Sequence, residues 1–186
     1  MPSYNMAATT SVARQATRAI VPWLRALPQT IAVRSVEDDP AYWALDVDLL
    51  WTTTRGTYRV EIKADRHDGS GNFFFETWSN RELGTPGCFL YSAADLLFYY
   101  FVHSHRLYIL PLRATRAWFM ARRAEFRERA ATTRVGDGGY TTLGRLVPIA
   151  RVLREVRGVR RFQIADSPAA AGSRLRIGTG GVRRRR

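Results

Sequence analysis

Two consecutive stretches of the chain alternate between apolar and polar residues, and a short turn sequence separates them. Residues 43–53 are rich in Leu, Val and Trp, residues 57–64 alternate again, and Thr54-Arg55-Gly56 lies between them. Alternation with a period of two is typical of strands that bury one face, and a turn containing glycine favours a hairpin. We therefore expect an antiparallel strand pair here.

The rest of the sequence predicts helices and strands around this hairpin. Residues 9–27 are expected to form an amphipathic helix. An organellar transit peptide is the alternative, because the first 36 residues contain no acid. The other predicted elements are a strand or extended connection at 30–36, strands at 72–77, 96–102, 107–110 and 145–149, helices at 91–95, 114–131 and 150–156, and a loop at 136–139. Residues 166–186 are expected to be a disordered basic tail, which leaves a domain at 1–165.

Charge is distributed unevenly along the chain, whose net charge is +13. Residues 1–102 hold nine basic and eleven acidic residues, and residues 103–186 hold twenty and five. This predicts a cation site beside a surface that binds polyanions, although an arginine-rich solvated surface explains the excess equally well.

The cysteine count and the apolar runs indicate the cellular compartment of the protein. The single cysteine, Cys88, excludes an intramolecular disulfide and a cysteine-based zinc site, and it suits a reducing compartment. The longest apolar run is too short to span a bilayer. We therefore expect a cytoplasmic protein with no membrane segment.

The charged residues of the hairpin are arranged as a catalytic metal site would need them. In a strand, residues two apart share a face, so Glu61 and Lys63 point the same way and Asp46 and Asp48 share a face of the preceding strand. Two nearby carboxylates bind Mg²⁺ together with water and a substrate phosphate. Such a metal polarises the phosphate and lowers the pKa of its water, and an adjacent ammonium orients that water.

Lys63 stands out because the chain contains 28 arginines and only this one lysine. A basic residue with no special role would most often be arginine in such a chain. The sole lysine instead lies two residues after a strand glutamate, where a compact ammonium is useful and a planar guanidinium is not.

This stretch resembles the PD-(D/E)XK nuclease superfamily, which includes many restriction endonucleases and Holliday-junction resolvases. The family pattern becomes Asp48, twelve intervening residues, and then Glu61-Ile62-Lys63. The proline of the motif is absent, as in many members, and Asp46 stays open as an alternative for the first position.

A second segment resembles the layout of phage-type members of the superfamily. Residues 70–76 contain an Asn-x-x-x-Glu strand, and residues 85–99 contain a loop with glycine and a short Ala-Asp turn. The resemblance extends over about residues 44–112. It adds Glu76 to the candidate catalytic residues, with an exposed edge-strand charge as the alternative interpretation.

The resemblance implies an α/β fold of restriction-endonuclease type, with a mixed sheet of about five strands flanked by helices. It implies a magnesium-dependent endonuclease, with Mn²⁺ as a substitute, that hydrolyses DNA, including branched or structured DNA. Asp48, Glu61 and the backbone carbonyl of Ile62 would hold the metal, Lys63 would position the attacking water, and Glu76 would assist. Whether one or two metal ions bind stays open, and a homodimer is expected because related enzymes cut two strands.

The basic second half supplies candidate contacts to DNA. These are Arg122, Arg123, Arg183, Arg184, Arg185 and Arg186. Two other functions remain open at this point. One is a catalytically inactive nucleic-acid-binding module of the same fold, and the other is an RNA-associated basic protein with an imported transit segment.

Overall fold

Two β-sheets and five α-helices make up the part of the chain that the computed structural model describes, residues 3–135 and 138–164. The helices are α1 (Met6–Arg25), α2 (Pro40–Trp43), α3 (Cys88–Tyr91), α4 (Leu112–Met120) and α5 (Ile149–Glu155), with 3-10 turns at Asp68–Ser70 and Arg123–Glu125. The strands are β1 (Ser3–Asn5), β2 (Thr30–Ser35), β3 (Leu49–Thr53), β4 (Gly56–Asp65), β5 (Asn72–Asn80), β6 (Thr85–Pro86), β7 (Leu96–Phe101), β8 (Arg106–Pro111), β9 (Arg127–Val135), β10 (Gly138–Pro148) and β11 (Arg160–Gln163).

The strands form two sheets rather than the single sheet of about five strands that the sequence predicts. The first sheet has the order β11-β8-β7-β4-β3-β2 and is mixed, because β4 runs parallel to β7 and the other neighbours are antiparallel. The second has the order β1-β9-β10-β5-β6. The expectation of a mixed α/β fold is confirmed at this level.

The predicted hairpin forms between β3 and β4. Leu49 pairs with Val60, and the register continues to Thr53 opposite Gly56. Gly56 has a φ of +139°, which glycine adopts at little cost, so it allows the tight turn.

The first strand of the hairpin begins later than predicted, at Leu49, because residues 43–46 belong to the end of α2 and a turn. Asp39 caps α2 by accepting a hydrogen bond from the backbone of Ala41, and Pro40 occupies the first turn, where its missing N–H costs nothing. The chain then turns through Asp46, which has a φ of +53°. Asp46 and Asp48 therefore lie in a loop that leads into β3.

Both faces of the first sheet are covered. On one face α1 buries Ile20 and Leu24 in a cluster that includes Val60, as the amphipathic-helix interpretation predicts. On the other face the second sheet packs, with the ring centroids of Phe73 and Tyr99 4.8 Å apart. Each such fully buried aliphatic or aromatic side chain contributes about 1.5–3 kcal/mol of transfer free energy.

The hydroxyl of Tyr99 ties the two sheets together. It donates a hydrogen bond to Asp65 Oδ2 on β4 (2.5 Å) and accepts one from the backbone N–H of Phe74 on β5 (3.0 Å). A buried hydroxyl with both partners in place fixes the local spacing of the layers.

The predicted helix at 114–131 is wrong beyond Met120. Residues 127–135 form β9, which pairs with β1 on one side and with β10 on the other. The Arg, Ala and Glu residues of this segment favour a helix, but pairing with two neighbouring strands overrides that weak propensity. The strand predicted at 145–149 is correspondingly longer and starts at Gly138. Gly138 and Gly139 thus belong to a strand rather than to a loop.

Other predictions are confirmed or corrected at their boundaries. Six predicted elements are found close to their expected positions. The helices at 9–27 and 150–156 are α1 and α5, and the strands at 30–36, 72–77, 96–102 and 107–110 are β2, β5, β7 and β8. The helix predicted at 91–95 lies earlier, as α3, and β11 was not predicted. Gly136, Asp137 and the tail at 166–186 lie outside the described residues. In the described part of the chain, no helix is long and apolar enough to cross a membrane.

Candidate active site

Three of the predicted site residues meet between the two sheets. Alternation along β4 directs Glu61 and Lys63 toward the second sheet, while Val60 packs on the α1 side. From β5, Glu76 crosses the gap and forms an ion pair with Lys63 through its Oε1 atom. The side chains of Lys63 and Glu76 are only 29% and 14% exposed. The predicted Glu61, Lys63 and Glu76 are therefore brought together.

Asp46 and Asp48 reach this point from the loop that precedes β3. The backbone oxygens of Leu45 and Asp46 accept hydrogen bonds from Ala93 N (2.8 Å) and from Ser92 Oγ (2.9 Å), which anchor the loop. Asp48 Oδ2 accepts a hydrogen bond of 2.6 Å from Ile62 N. Both aspartates thus lie beside Glu61, but only Asp48 accepts a hydrogen bond from the backbone of β4.

The short helix α3 places Cys88 beside these residues. Cys88 Sγ donates a weak hydrogen bond to Glu76 Oε2 at 3.8 Å. This approach requires a glycine before the helix, because a Cβ atom at Gly87 would lie 2.4 Å from the backbone carbon of Glu76. Cys88 was not predicted as a site residue, and nothing in its sequence neighbourhood marks it as one.

Crowding of carboxyl groups dominates the electrostatics. Burial raises the pKa of Asp46 to about 6 and that of Asp48 to about 6. Burial also raises the pKa of Glu61 well above its ordinary value, and the Asp48 and Asp46 charges raise it further. Among the described side chains, Asp46 Oδ2 and Glu61 Oε2 are buried without a hydrogen-bond partner. A bound cation would favour the charged forms and satisfy both oxygens.

The donor atoms of this cluster fit a hard divalent cation. Oxygens of Asp46 and Glu61 lie within 4.8 Å of each other and of Cys88 Sγ. Mg²⁺ and Mn²⁺ take carboxylate, carbonyl and water oxygens, so the two carboxylates suit them and the thiol does not. Ile62 directs its N–H toward Asp48, and a strand residue sends its C=O to the same edge, so that carbonyl also faces the loop.

Lys63 is held as a cation. Burial alone would lower its pKa, but the charge and hydrogen bond of Glu76, together with the neighbouring Cys88 and Glu61, raise the pKa of Lys63 above its usual value. Lys63 is therefore suited to hold a water molecule or meet negative charge as an ammonium, rather than to accept a proton.

A cavity of about 320 Å³ opens beside the cluster. Glu61, Lys63 and Glu76 line it, as do Arg66 of the loop after β4 and Arg129 of β9. Further lining comes from α1, β5 and β10. The cavity thus combines carboxylates with basic side chains, which is the charge pattern that a metal-bound phosphate requires.

The predicted arginine contacts are placed differently. Arg122 lies beside Trp118 and pairs with Glu155 at 3.4 Å, and Arg122 and Arg123 border a separate depression away from the cavity. The four arginines at 183–186 lie outside the described residues. Arg129 is exposed and was expected on a helix, so its place on the cavity wall follows from the strand β9.

The close approach at Gly87 yields a first prediction. Gly87→Ala should push α3 away from β5, lower the free energy of unfolding by about 1–3 kcal/mol, and separate Cys88 from Glu76. Gly69→Ala is the matched control, because a Cβ atom there meets nothing within 4 Å. Urea denaturation of both variants measures the effect, and equal stabilities would contradict it.

The crowded carboxyl groups yield a second prediction. Because the folded pKa of Glu61 is raised, the wild type loses stability as pH rises above the ordinary glutamate pKa of 4.5. Without divalent cations, Glu61→Gln should stabilise the protein by about 1–2 kcal/mol at pH 8 and much less at pH 5. Denaturation in chelator at both pH values measures this. Asp38→Asn, at an exposed carboxylate, is the control, and a gain independent of pH would count against the assignment.

Comparisons with protein-family models, with curated proteins and with solved structures found no match. Function is therefore inferred from the residues of this site and from their surroundings.

Proposed function

We propose that this protein is a divalent-metal-dependent endonuclease that hydrolyses DNA phosphodiester bonds in the cavity between its two sheets. The observation that carries the proposal is the convergence of Asp46, Asp48, Glu61, Lys63 and Glu76 on one partly buried point. A hairpin that delivers an aspartate and a Glu-x-Lys strand to such a point supports membership of the PD-(D/E)XK superfamily and its restriction-endonuclease-like fold.

Asp46 and Glu61 are the residues that would hold Mg²⁺, with Mn²⁺ as a substitute. Each has a buried oxygen that lacks a hydrogen-bond partner. A divalent metal at this point supplies a polarised phosphate and a bound water of lowered pKa. Asp48, which the family pattern favours as a ligand, would instead orient Glu61 and the β4 backbone, since one of its oxygens accepts the hydrogen bond from Ile62 N.

Lys63 would position the attacking water and meet the negative charge that builds on the phosphate oxygens. Its ammonium is fixed in direction by Glu76, so little reorganisation is needed when that charge develops. Glu76 is thus a positioning residue that acts through Lys63. The thiol of Cys88 donates to the other carboxylate oxygen of Glu76, Oε2, and helps hold it in place.

DNA is the proposed substrate because the rest of the cavity wall and the chain as a whole are basic. Arg66 and Arg129 line the same cavity as Glu61, Lys63 and Glu76. Guanidinium groups bind phosphate oxygens in pairs, and a net charge of +13 attracts polyanions over long distances. Junctions, flaps and linear duplexes all offer the same phosphodiester chemistry to such a site.

A plasmid-nicking assay tests the activity. With Mg²⁺ or Mn²⁺ the wild type should nick supercoiled DNA, and Lys63→Ala should lower the rate by about 100- to 1000-fold, as for loss of a group that stabilises charge in the transition state. Arg25→Ala, at an exposed cation on α1, is the control. DNA binding without cleavage in every metal tested would favour the inactive binding module of the same fold.

The assignment of the first metal ligand is tested by binding rather than by cleavage. Mg²⁺ should raise the melting temperature of the wild type, because a ligand that binds only the folded state stabilises it. Asp46→Asn should abolish this shift, whereas Asp48→Asn should weaken Mg²⁺ affinity by about 10- to 100-fold, as expected for a residue that orients a ligand. If Asp48→Asn abolishes the shift and Asp46→Asn only weakens Mg²⁺ affinity, Asp48 is the ligand instead.

A further inference from the structure

Cys88 is the one soft donor in an otherwise oxygen-rich cluster. Its Sγ atom and carboxylate oxygens of Asp46 and Glu61 all lie within 4.8 Å of one another. It is also the only cysteine of the chain. The thiol is half-buried and lines the cavity described above, so a small ion can reach it from solvent.

Glu61 gives independent evidence that this cluster is built to receive a cation. Its side chain is only 8% exposed, and its Oε2 atom has no hydrogen-bond partner. Asp46 Oδ2 is buried in the same way. The cluster therefore offers a thiol and two carboxylates whose ligand atoms lie within 4.8 Å of one another, and each carboxylate has one unsatisfied oxygen.

We propose that Asp46, Glu61 and Cys88 form a site for a thiophilic divalent cation such as Zn²⁺ or Cd²⁺. The binding itself stands apart from the proposed nuclease activity. Its consequence rests on that function: because Asp46 and Glu61 are shared, a thiophilic cation in this site excludes Mg²⁺ and switches cleavage off.

The geometry suits zinc chemistry. Zn²⁺ binds thiolate sulfur at about 2.3 Å and carboxylate oxygen at about 2.0–2.2 Å, which places tetrahedral ligands about 3.2–3.7 Å apart. Small side-chain rotations bring atoms within 4.8 Å to such distances. On binding, the Sγ–H bond breaks, an Sγ–metal bond forms, and the proton leaves to solvent. Water occupies the fourth position.

The same donors separate the two classes of metal. Mg²⁺ is hard and gains nothing from sulfur, whereas thiolate selects zinc-like ions. One cysteine cannot make a zinc site of several thiolates. The fold places two carboxylates beside it, and these complete a mixed site.

Titration with CdCl₂ tests the site without DNA. Cadmium bound to thiolate gives a ligand-to-metal charge-transfer absorption in the ultraviolet, and in this chain that signal has one source. We expect one equivalent of Cd²⁺ to produce the band in the wild type. Glu61→Gln and Asp46→Asn should each weaken the affinity by more than about tenfold, since even residues that only orient a ligand cost that much.

Cys88→Ser is the spectroscopic blank, and Asp38→Asn, which removes an exposed carboxylate, is the matched control that should bind like the wild type. No band in the wild type overturns the proposal. So does a band of unchanged affinity in either carboxylate variant, because the thiol would then bind alone. Circular dichroism of each variant confirms that it is folded.

The inhibitory consequence is measured as the Zn²⁺ concentration that halves Mg²⁺-dependent nicking, with each variant compared with its own uninhibited rate. Cys88→Ser should require at least about tenfold more Zn²⁺ than the wild type. Equal sensitivity would overturn the inhibition. If no metal supports nicking, the proposed nuclease function fails, while the cadmium titration still decides the metal site.

Discussion

The arrangement of the molecule depends on β4, a strand whose two faces are both covered. Alternation gives one face to apolar residues under α1 and the other to Glu61 and Lys63 under the second sheet. Charged side chains are rarely placed in such a layer, because removing a charge from water costs more free energy than most new contacts contribute. Here they are tolerated because Glu76 arrives from β5 and because the cavity keeps one side open to water.

The site nevertheless contains more negative charge than it compensates. Lys63 neutralises the charge of Glu76. Among the described residues, no cation pairs in this way with Asp46, Asp48 or Glu61, and burial and the charges of neighbouring carboxylates raise their pKa values. Such crowding lowers the stability of the protein as pH rises, because each buried carboxylate disfavours the charged form of its neighbours. This destabilisation is confined to the carboxylate cluster, because Tyr99 and the aromatic side chains around it hold the two sheets together.

The sequence predicted the parts of the structure whose periodicity has only one interpretation. The hairpin turn, α1 and the strands before and after residue 103 were found where alternation, amphipathicity and apolar runs placed them, although β3 begins at Leu49 rather than at residue 43. Glu76 was a candidate site residue with an edge-strand charge as the alternative, and its ion pair with Lys63 is seen only in the structure. β9 was missed because its Arg, Ala and Glu residues favour a helix, and only pairing with the distant β1 and the adjacent β10 makes it extended. Cys88 was missed because its place depends on the approach of Gly87 to β5, which no local pattern encodes.

The cavity wall is assembled from three segments that are far apart along the chain, residues 12–13, 61–76 with Cys88, and 129–146. Synthesis proceeds from the N-terminus, so a nascent chain acquires the acidic end of the site long before the β9–β10 hairpin that encloses it. Until residue 146 has emerged, the cavity lacks the part of its wall that β10 supplies. A polypeptide that stops before β9 therefore holds the charged residues from Asp46 to Glu76 without the two strands that enclose them.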